Sequence, residues 1–306
     1  MDLVQGGTRV LKLGFIGTGT VGTALAMRLS DRGYRVVAVS SRNHISAKKL
    51  APSISGCQAF DDNQAVADSA DFVFVTTPDD TIAGVVSAVK WHPEQSVVHC
   101  SGVASTDILE PARESGVQVG AFHPLQTFAN VKQAIDNIPG STFALEAEEP
   151  LLTTLKDIAT ALNGQCIELK ASDKVLYHAA AVMACNYMVT LVKLSTDLWQ
   201  TFNVPPQTAT KALMPLLQGT LNNIANVGIP QCLTGPIARG DAGTIKKHLS
   251  ALEKVAPNVL STYRELGLQT IPVALGKGKI NQRQAEELQA ILEQPEPVKV
   301  LKGVTR

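Results

Sequence analysis

Lys174 and His178 stand four residues apart in a run, Asp173 to Phe202, that contains neither glycine nor proline. In a helix they share one face. A lysine that burial has partly stripped of water loses basicity, so it can give or take a proton, or polarise a carbonyl while hydride moves to carbon. Asn186, twelve residues beyond Lys174, is about a third of a turn off that face and could bond substrate or serve packing. His123, followed by Pro124, comes just after the apolar run Val117 to Phe122, and Ser101 just after Ser96 to Cys100. An imidazole and a hydroxyl at two such strand ends could meet a substrate oxygen, with Pro124 stopping the strand and fixing the loop. Arg239, within Gly235-Pro-Ile-Ala-Arg-Gly-Asp241, could fork onto a substrate carboxylate, and Asp241 suits the N-cap of the helix that follows. Each residue also has a structural reading: a surface lysine, a core histidine satisfied by a carbonyl, a packing asparagine, loop groups with no role.

None of these side chains carries hydride, so the chemistry needs a cofactor. The stretch Leu11 to Gly22 supplies a site for one. An apolar run enters Gly17-Thr18-Gly19-Thr20-Val21-Gly22, and a helical pattern follows at once. Gly17 suits the sharp turn out of the strand, Gly19 the close approach of a pyrophosphate, and Gly22 the packing of helix on sheet. The phosphates would face unpaired N–H groups at the helix start. At the end of the second strand, where an NAD site usually carries a carboxylate for the ribose 2′-OH, the chain reads Ser40-Ser41-Arg42. Hydroxyls and a guanidinium can bond and neutralise a 2′-phosphate, so NADP is expected rather than NAD. Thr76, Thr77 and Pro78 close a continuous apolar run, Phe72 to Val75, and belong at the carboxyl edge beside the glycines, where ligands of open α/β sheets sit.

The elements that position these residues alternate as strand and helix through residue 170, with strands expected at 35–39, 57–60, 72–75, 96–100, 117–122, 142–146 and 165–169. That order predicts an α/β, doubly wound Rossmann domain over residues 1–171. From Ser172 the pattern becomes helical: one long helix from Asp173 to Phe202, buried on much of its surface, then helices near 206–225, 241–254, 257–266 and 281–293. Residues 172–306 are therefore expected to form an all-α domain for substrate and dimerisation, packed on the first so as to leave a cleft.

The whole chain is 306 residues, 45% hydrophobic and 18% charged, with 27 basic residues against 27 acidic. Such a balance gives no field for nucleic acid or an anionic membrane, so a small-molecule substrate is expected. Five scattered cysteines show no metal spacing and read as reduced thiols of a cytoplasmic protein. Residues 1–10 lack a signal-peptide core, no uninterrupted apolar run is long enough to span a bilayer, and the tail from Gln294, with its two prolines, reads as a mobile end.

Gly17 to Gly22 ahead of an all-helical half resembles the superfamily of 6-phosphogluconate dehydrogenase, β-hydroxyacid dehydrogenases, ketopantoate reductase, pyrroline-5-carboxylate reductase and prephenate dehydrogenase. Phe122 to Phe128, Lys174 to Asn186 and Leu233 to Asp241 are similar to a bacterial family that joins a Rossmann-like domain to a domain of unknown function. The resemblance runs over about residues 10–280. It implies a catalytic lysine at Lys174, although His178 stands where several relatives have asparagine. It also implies a homodimer, and His123-Pro124 with Ser101 resemble the catalytic pair of prephenate dehydrogenases. The expectation is an NADP-dependent oxidoreductase moving hydride to or from a small carbonyl, hydroxyl or imine compound bearing a carboxylate. The alternatives are prephenate dehydrogenase-like activity and a non-catalytic NADP(H)-binding sensor.

Overall fold

The computed structural model describes residues 11–293, so the readings of residues 1–10 and of the tail from Gln294 lie outside them. Its centre is one eight-stranded sheet of order β3-β2-β1-β4-β5-β6-β7-β8. β1 (Lys12–Ile16), β2 (Arg35–Ser40), β3 (Gln58–Phe60), β4 (Phe72–Val75) and β5 (Ser96–His99) pair in parallel with one another and with β6 (Gln118–Leu125). β7 (Thr142–Ala147) is antiparallel to β6, and β8 (Gln165–Glu168) runs parallel to β7. Every side chain of β4 is buried, as its unbroken apolar run requires of a strand covered on both faces. Phe15 stacks on Phe74 at 5.0 Å, and Phe122 stacks on Phe143 at 4.5 Å. An edge contact of 5.9 Å between Phe74 and Phe122 joins the two pairs into an aromatic row across the sheet.

The crossovers are α1 (Thr20–Asp31), α2 (His44–Leu50), α3 (Asn63–Ser69), α4 (Ile82–Ser87), α5 (Glu110–Arg113), α6 (Val131–Asn137) and α7 (Leu151–Ala161). Several begin where an Asn or Asp can accept a first-turn N–H: Asn43 from Ile45, Asp62 from Ala65, Asn130 from Gln133. α1 buries Ala24, Leu25 and Leu29 on the sheet, and its start carries no side-chain cap.

Two expectations change here. His123 and Pro124 lie within β6, and Pro124 does not stop the strand. β5 ends opposite Ala121, so beyond that point β6 is paired only with β7, Pro124 standing opposite Phe143. Its free edge there asks for no N–H, which is where a sheet tolerates proline. The second change concerns the run after residue 172. It forms α8 (Lys174–Ala184) and α9 (Asn186–Gln200), interrupted at Cys185, where φ is −111° and ψ −63°. No glycine or proline marks the break. Nor is the run buried: Lys174 and Thr196 are its only buried residues, while Leu176 is 77% exposed and Val189 69%. Ala171–Gln200 is long and apolar enough, by length and composition only, to cross a membrane, although Asp173, Lys174, Lys193 and Asp197 interrupt it. The ammonium of Lys174 inside it, buried against Glu146 of β7, ties its first half to the sheet.

The described residues divide into two compact units between Asn186 and Tyr187. α8 thus belongs to the unit that holds the sheet, beyond the boundary expected at residue 171. The other unit contains α9, α10 (Pro206–Val227), α11 (Ala242–Val255), α12 (Pro257–Gly276) and α13 (Gln282–Leu292), with a core of Ile245, Leu260, Ala274 and Leu288. Asp241 caps α11 as expected, accepting from Thr244 N at 2.9 Å.

Candidate functional site

Two cavities flank the carboxyl end of the sheet. The first, about 760 Å³, opens at the glycine turn. Gly17 has φ +108°, a left-handed value, and a Cβ on it would lie 2.8 Å from the Thr76 carbonyl carbon. A Cβ on Gly22 would lie 2.2 Å from the Gly17 carbonyl oxygen. These two glycines let the turn, α1 and the end of β4 touch, and Thr76 Oγ1 secures the contact by donating to Gly17 O at 2.6 Å. Gly19 differs, since a Cβ there would meet nothing within 4 Å. Open space therefore lies where the bare start of α1 presents its unpaired N–H groups, an anion site. Thr77 Oγ1, also in the cavity wall, is buried without a hydrogen-bond partner. An orphaned hydroxyl is costly unless a ligand satisfies it.

Of the residues expected to hold a cofactor, Gly17, Thr18, Gly19, Ser41, Arg42, Thr76, Thr77 and Pro78 line this cavity. Arg42 is exposed there and has no ion-pair partner among the described residues. Nearby Asp61 is engaged by His44 at 3.3 Å and Lys48 at 3.5 Å, which blunts its repulsion of a phosphate. Ser40 is corrected: it is 1% exposed and its hydroxyl donates to Asn63 Oδ1 at 2.8 Å, so it braces β2 and cannot reach a ligand. The Thr18 hydroxyl is shared with Ser46 at 2.6 Å. Val21 packs on the core, so Thr20 and Val21 offer backbone N–H groups at the head of α1. The residues present fit a dinucleotide phosphate.

The second cavity, about 660 Å³, lies along α8 beside the projecting end of β6. His123, Tyr177, His178 and Asn186 line it. His123 Nδ1 and the Tyr177 hydroxyl are 2.8 Å apart, with the rings edge to face. Gly102 leaves room for both histidines: a Cβ there would sit 2.7 Å from His123 Nε2 and from His178 Cδ2. Burial first, then repulsion by His178 and Lys174, pulls the His123 pKa down to about 4, so at neutral pH the ring is uncharged. Burial pushes the Tyr177 phenol up to about 12. Tyr177 was not foreseen; its place one position before His178 offered no signal without the register of α8 against β6.

Lys174 and Ser101 are placed differently. Lys174 is not in the cavity wall; its ammonium, 3% exposed, lies 3.3 Å from Glu146 Oε2. Glu146 Oε1 accepts from Thr106 N and Thr106 Oγ1, at 3.1 and 2.9 Å. Burial holds the Lys174 pKa below the ordinary lysine value, against the upward pull of Glu146. Ser101 is 3% exposed, donates to Asp79 Oδ2 at 2.7 Å and accepts from Val103 N and Ala104 N. Its proton is committed, and its work is to shape the turn that delivers Gly102. His99, at the end of β5, was passed over on sequence yet is fully buried here. Its Nδ1 accepts from Ser101 N, which leaves Nε2–H to donate to Ser105 O; burial takes its pKa down to about 3. Arg239 is exposed and belongs to the other unit.

Residues 12–102 match the family model described as NADP oxidoreductase, coenzyme F420-dependent, and residues 141–270 match one described as a domain of unknown function, DUF2520. No curated protein matches the chain. A solved protein from Thermotoga maritima is similar at 28% identity and TM-score 0.70, over 87% of this chain and 99% of that one. A Bacteroides fragilis protein provisionally described as an NADP oxidoreductase is similar at 26% identity and TM-score 0.68, over 86% and 98%. A reductive aminase from Aspergillus terreus, solved with NADPH and ethyl levulinate, shares the fold at 16% identity and TM-score 0.65, over 92% and 99%.

Proposed function

We propose that the chain is an NADP-dependent oxidoreductase that moves hydride to or from a small carbonyl, hydroxyl or imine compound. The observation that carries this reading is the glycine cradle, with space beside Gly19 and an uncapped helix start at one cavity, whose wall also includes Thr77 with its buried, unsatisfied hydroxyl. Gly17, Gly19 and the first N–H groups of α1 would hold the pyrophosphate, and Ser41 and Arg42 the 2′-phosphate. When bound, NADP supplies the hydride chemistry that no side chain offers. Among this chain's own groups, Tyr177 Oη holds a proton at the cavity and His123 Nδ1, in hydrogen-bond contact with it, is placed to restore that proton. Lys174, paired with Glu146, acts on His123 through its field. The protein solved with NADPH and the one described as an NADP oxidoreductase support the choice of cofactor.

A sensor that only binds NADP(H) has no use for a second cavity walled by Tyr177 and two imidazoles, so the enzyme reading is favoured. The prephenate alternative requires a dicarboxylate, and among the described residues of the unit that holds the sheet no lysine or arginine lines that cavity. All five cysteines are free, in keeping with a chain that works in the reducing cytoplasm. We also propose a homodimer. Val175, Leu176 and Met183 of α8, and Val189 of α9, are each more than 60% exposed, a density of apolar surface that a second copy would cover. Sedimentation at low concentration tests the dimer. Calorimetry with NADPH and NADH tests the cofactor: tighter NADPH binding is expected, and no heat from either removes the enzyme reading. Absorbance screening of ketones, imines, 2- and 3-keto acids and coenzyme F420 then finds the partner substrate.

A further inference from the structure

We infer that the cavity beside Tyr177 takes an uncharged ketone or imine group, its oxygen or nitrogen accepting a hydrogen bond from the Tyr177 hydroxyl; this rests on the oxidoreductase reading and names its substrate class. The walls decide the matter. Leu125, Phe128, Ala180, Ala181, Val182 and Ala184 supply its apolar walls, and among the described residues no Lys, Arg, Asp or Glu lines it. The lysine next in sequence, Lys174, is turned to Glu146, so its charge is answered inside the protein. What remains polar is a set of donors and acceptors that holds no carboxylate, ammonium or guanidinium: Tyr177, His123, Gln126, Thr127, His178 and Asn186. A carboxylate entering here would lose water without meeting a counter-charge, which is strongly unfavourable. A ketone or imine needs only one donor. The His123–Tyr177 pair provides it, because an uncharged imidazole can present Nδ1–H to the phenol oxygen and leave the phenol proton free to point into the cavity. At about 660 Å³ the space suits a small organic molecule.

The test uses acetophenone and benzoate, matched in ring and size and differing in charge, added to the full chain without NADPH at pH 8. Binding is read from the NMR signals of ¹³C-labelled histidine rings, with His123 assigned by His123→Asn. Acetophenone should shift the His123 and His178 signals saturably, and benzoate should bind at least about tenfold more weakly. Tyr177→Phe should weaken acetophenone about fivefold to tenfold, the loss of one hydrogen bond, while NADPH affinity is retained. Gln126→Lys, at an exposed position on the rim, should bring benzoate binding up to that of acetophenone. Benzoate binding as well as acetophenone in the unaltered chain would overturn the inference. So would histidine signals unmoved up to the solubility of acetophenone, or a Tyr177→Phe chain that binds it unchanged. Because NADPH is absent from these titrations, such failures are distinct from failure of the oxidoreductase reading, which the calorimetry decides.

Discussion

Glu146→Gln separates the structural work of Lys174 from any chemical work. Glutamine keeps the length of the side chain and an oxygen for Thr106, yet leaves an ammonium that is 3% exposed with no carboxylate at 3.3 Å. Removing one partner of a buried ion pair costs about 3–5 kcal/mol. For a compact unit of this size that corresponds to a loss of about 6–20 °C in Tm. The penalty should depend on pH. Burial already holds the folded Lys174 pKa below its unfolded value, opposed by Glu146 and, more weakly, by Cys100 and Asp79. Without Glu146 it falls further, so between the two pKa values the unfolded chain binds the extra proton. Stability then rises with pH across that window and is complete above about 10.4, the ordinary lysine value. Thermal melts of Glu146→Gln and the parent at pH 7 and pH 9.5 should therefore show the larger deficit at pH 7. Adding Lys174→Met to Glu146→Gln removes the stranded charge and should recover most of the loss. A Glu146→Gln Tm within about 1 °C of the parent at pH 7, or a double variant showing the sum of two penalties, would refute the account of this pair.

Thr77→Val should raise the NADPH Kd about fivefold to tenfold by calorimetry and leave the melting of the ligand-free chain unchanged or improved, since the buried hydroxyl has no partner. Arg42→Ala should weaken NADPH much more than NADH in the same assay, because only the former carries a 2′-phosphate for the guanidinium. His123 and His99, with folded pKa values of about 4 and about 3, should take up protons on unfolding below about pH 6.5. Their contribution is full above that pH and lost as pH falls through about 4 and then about 3; urea unfolding across pH 4–6.5 should show it, and His123→Asn should flatten the slope by one proton. Gly102→Ala should displace His123 or His178, visible as moved histidine ring signals, with NADPH affinity retained.

Local patterns in the chain carry much of the fold. The spacing of Gly17, Gly19 and Gly22 between an apolar run and a helical one marks the cradle, because turn geometry and helix packing are set by residues adjacent in sequence. Phe72 to Val75 reads as a central strand for the same reason, and Asp241 as a cap. Longer reach fails. Thr142 to Glu146 reads as a strand, but its antiparallel pairing, which makes room for Pro124 inside β6, depends on which edge its neighbour leaves open. Ser40 and Ser41 are adjacent hydroxyls, and only the alternation of β2 and the position of Asn63 turn one inward and leave the other at the cavity.

The candidate site divides along the same line. Amino-acid order alone determined that a glycine turn of the dinucleotide pattern joins the first strand to the first helix and that Lys174, His178 and Asn186 follow one another along helical sequence. Tertiary structure decided what each side chain faces: Lys174 a carboxylate from β7, Ser101 the Asp79 carboxylate and His123 a tyrosine from α8. The physical reason is that charge, protonation and access depend on groups tens of residues away in sequence and about 3 Å away in space.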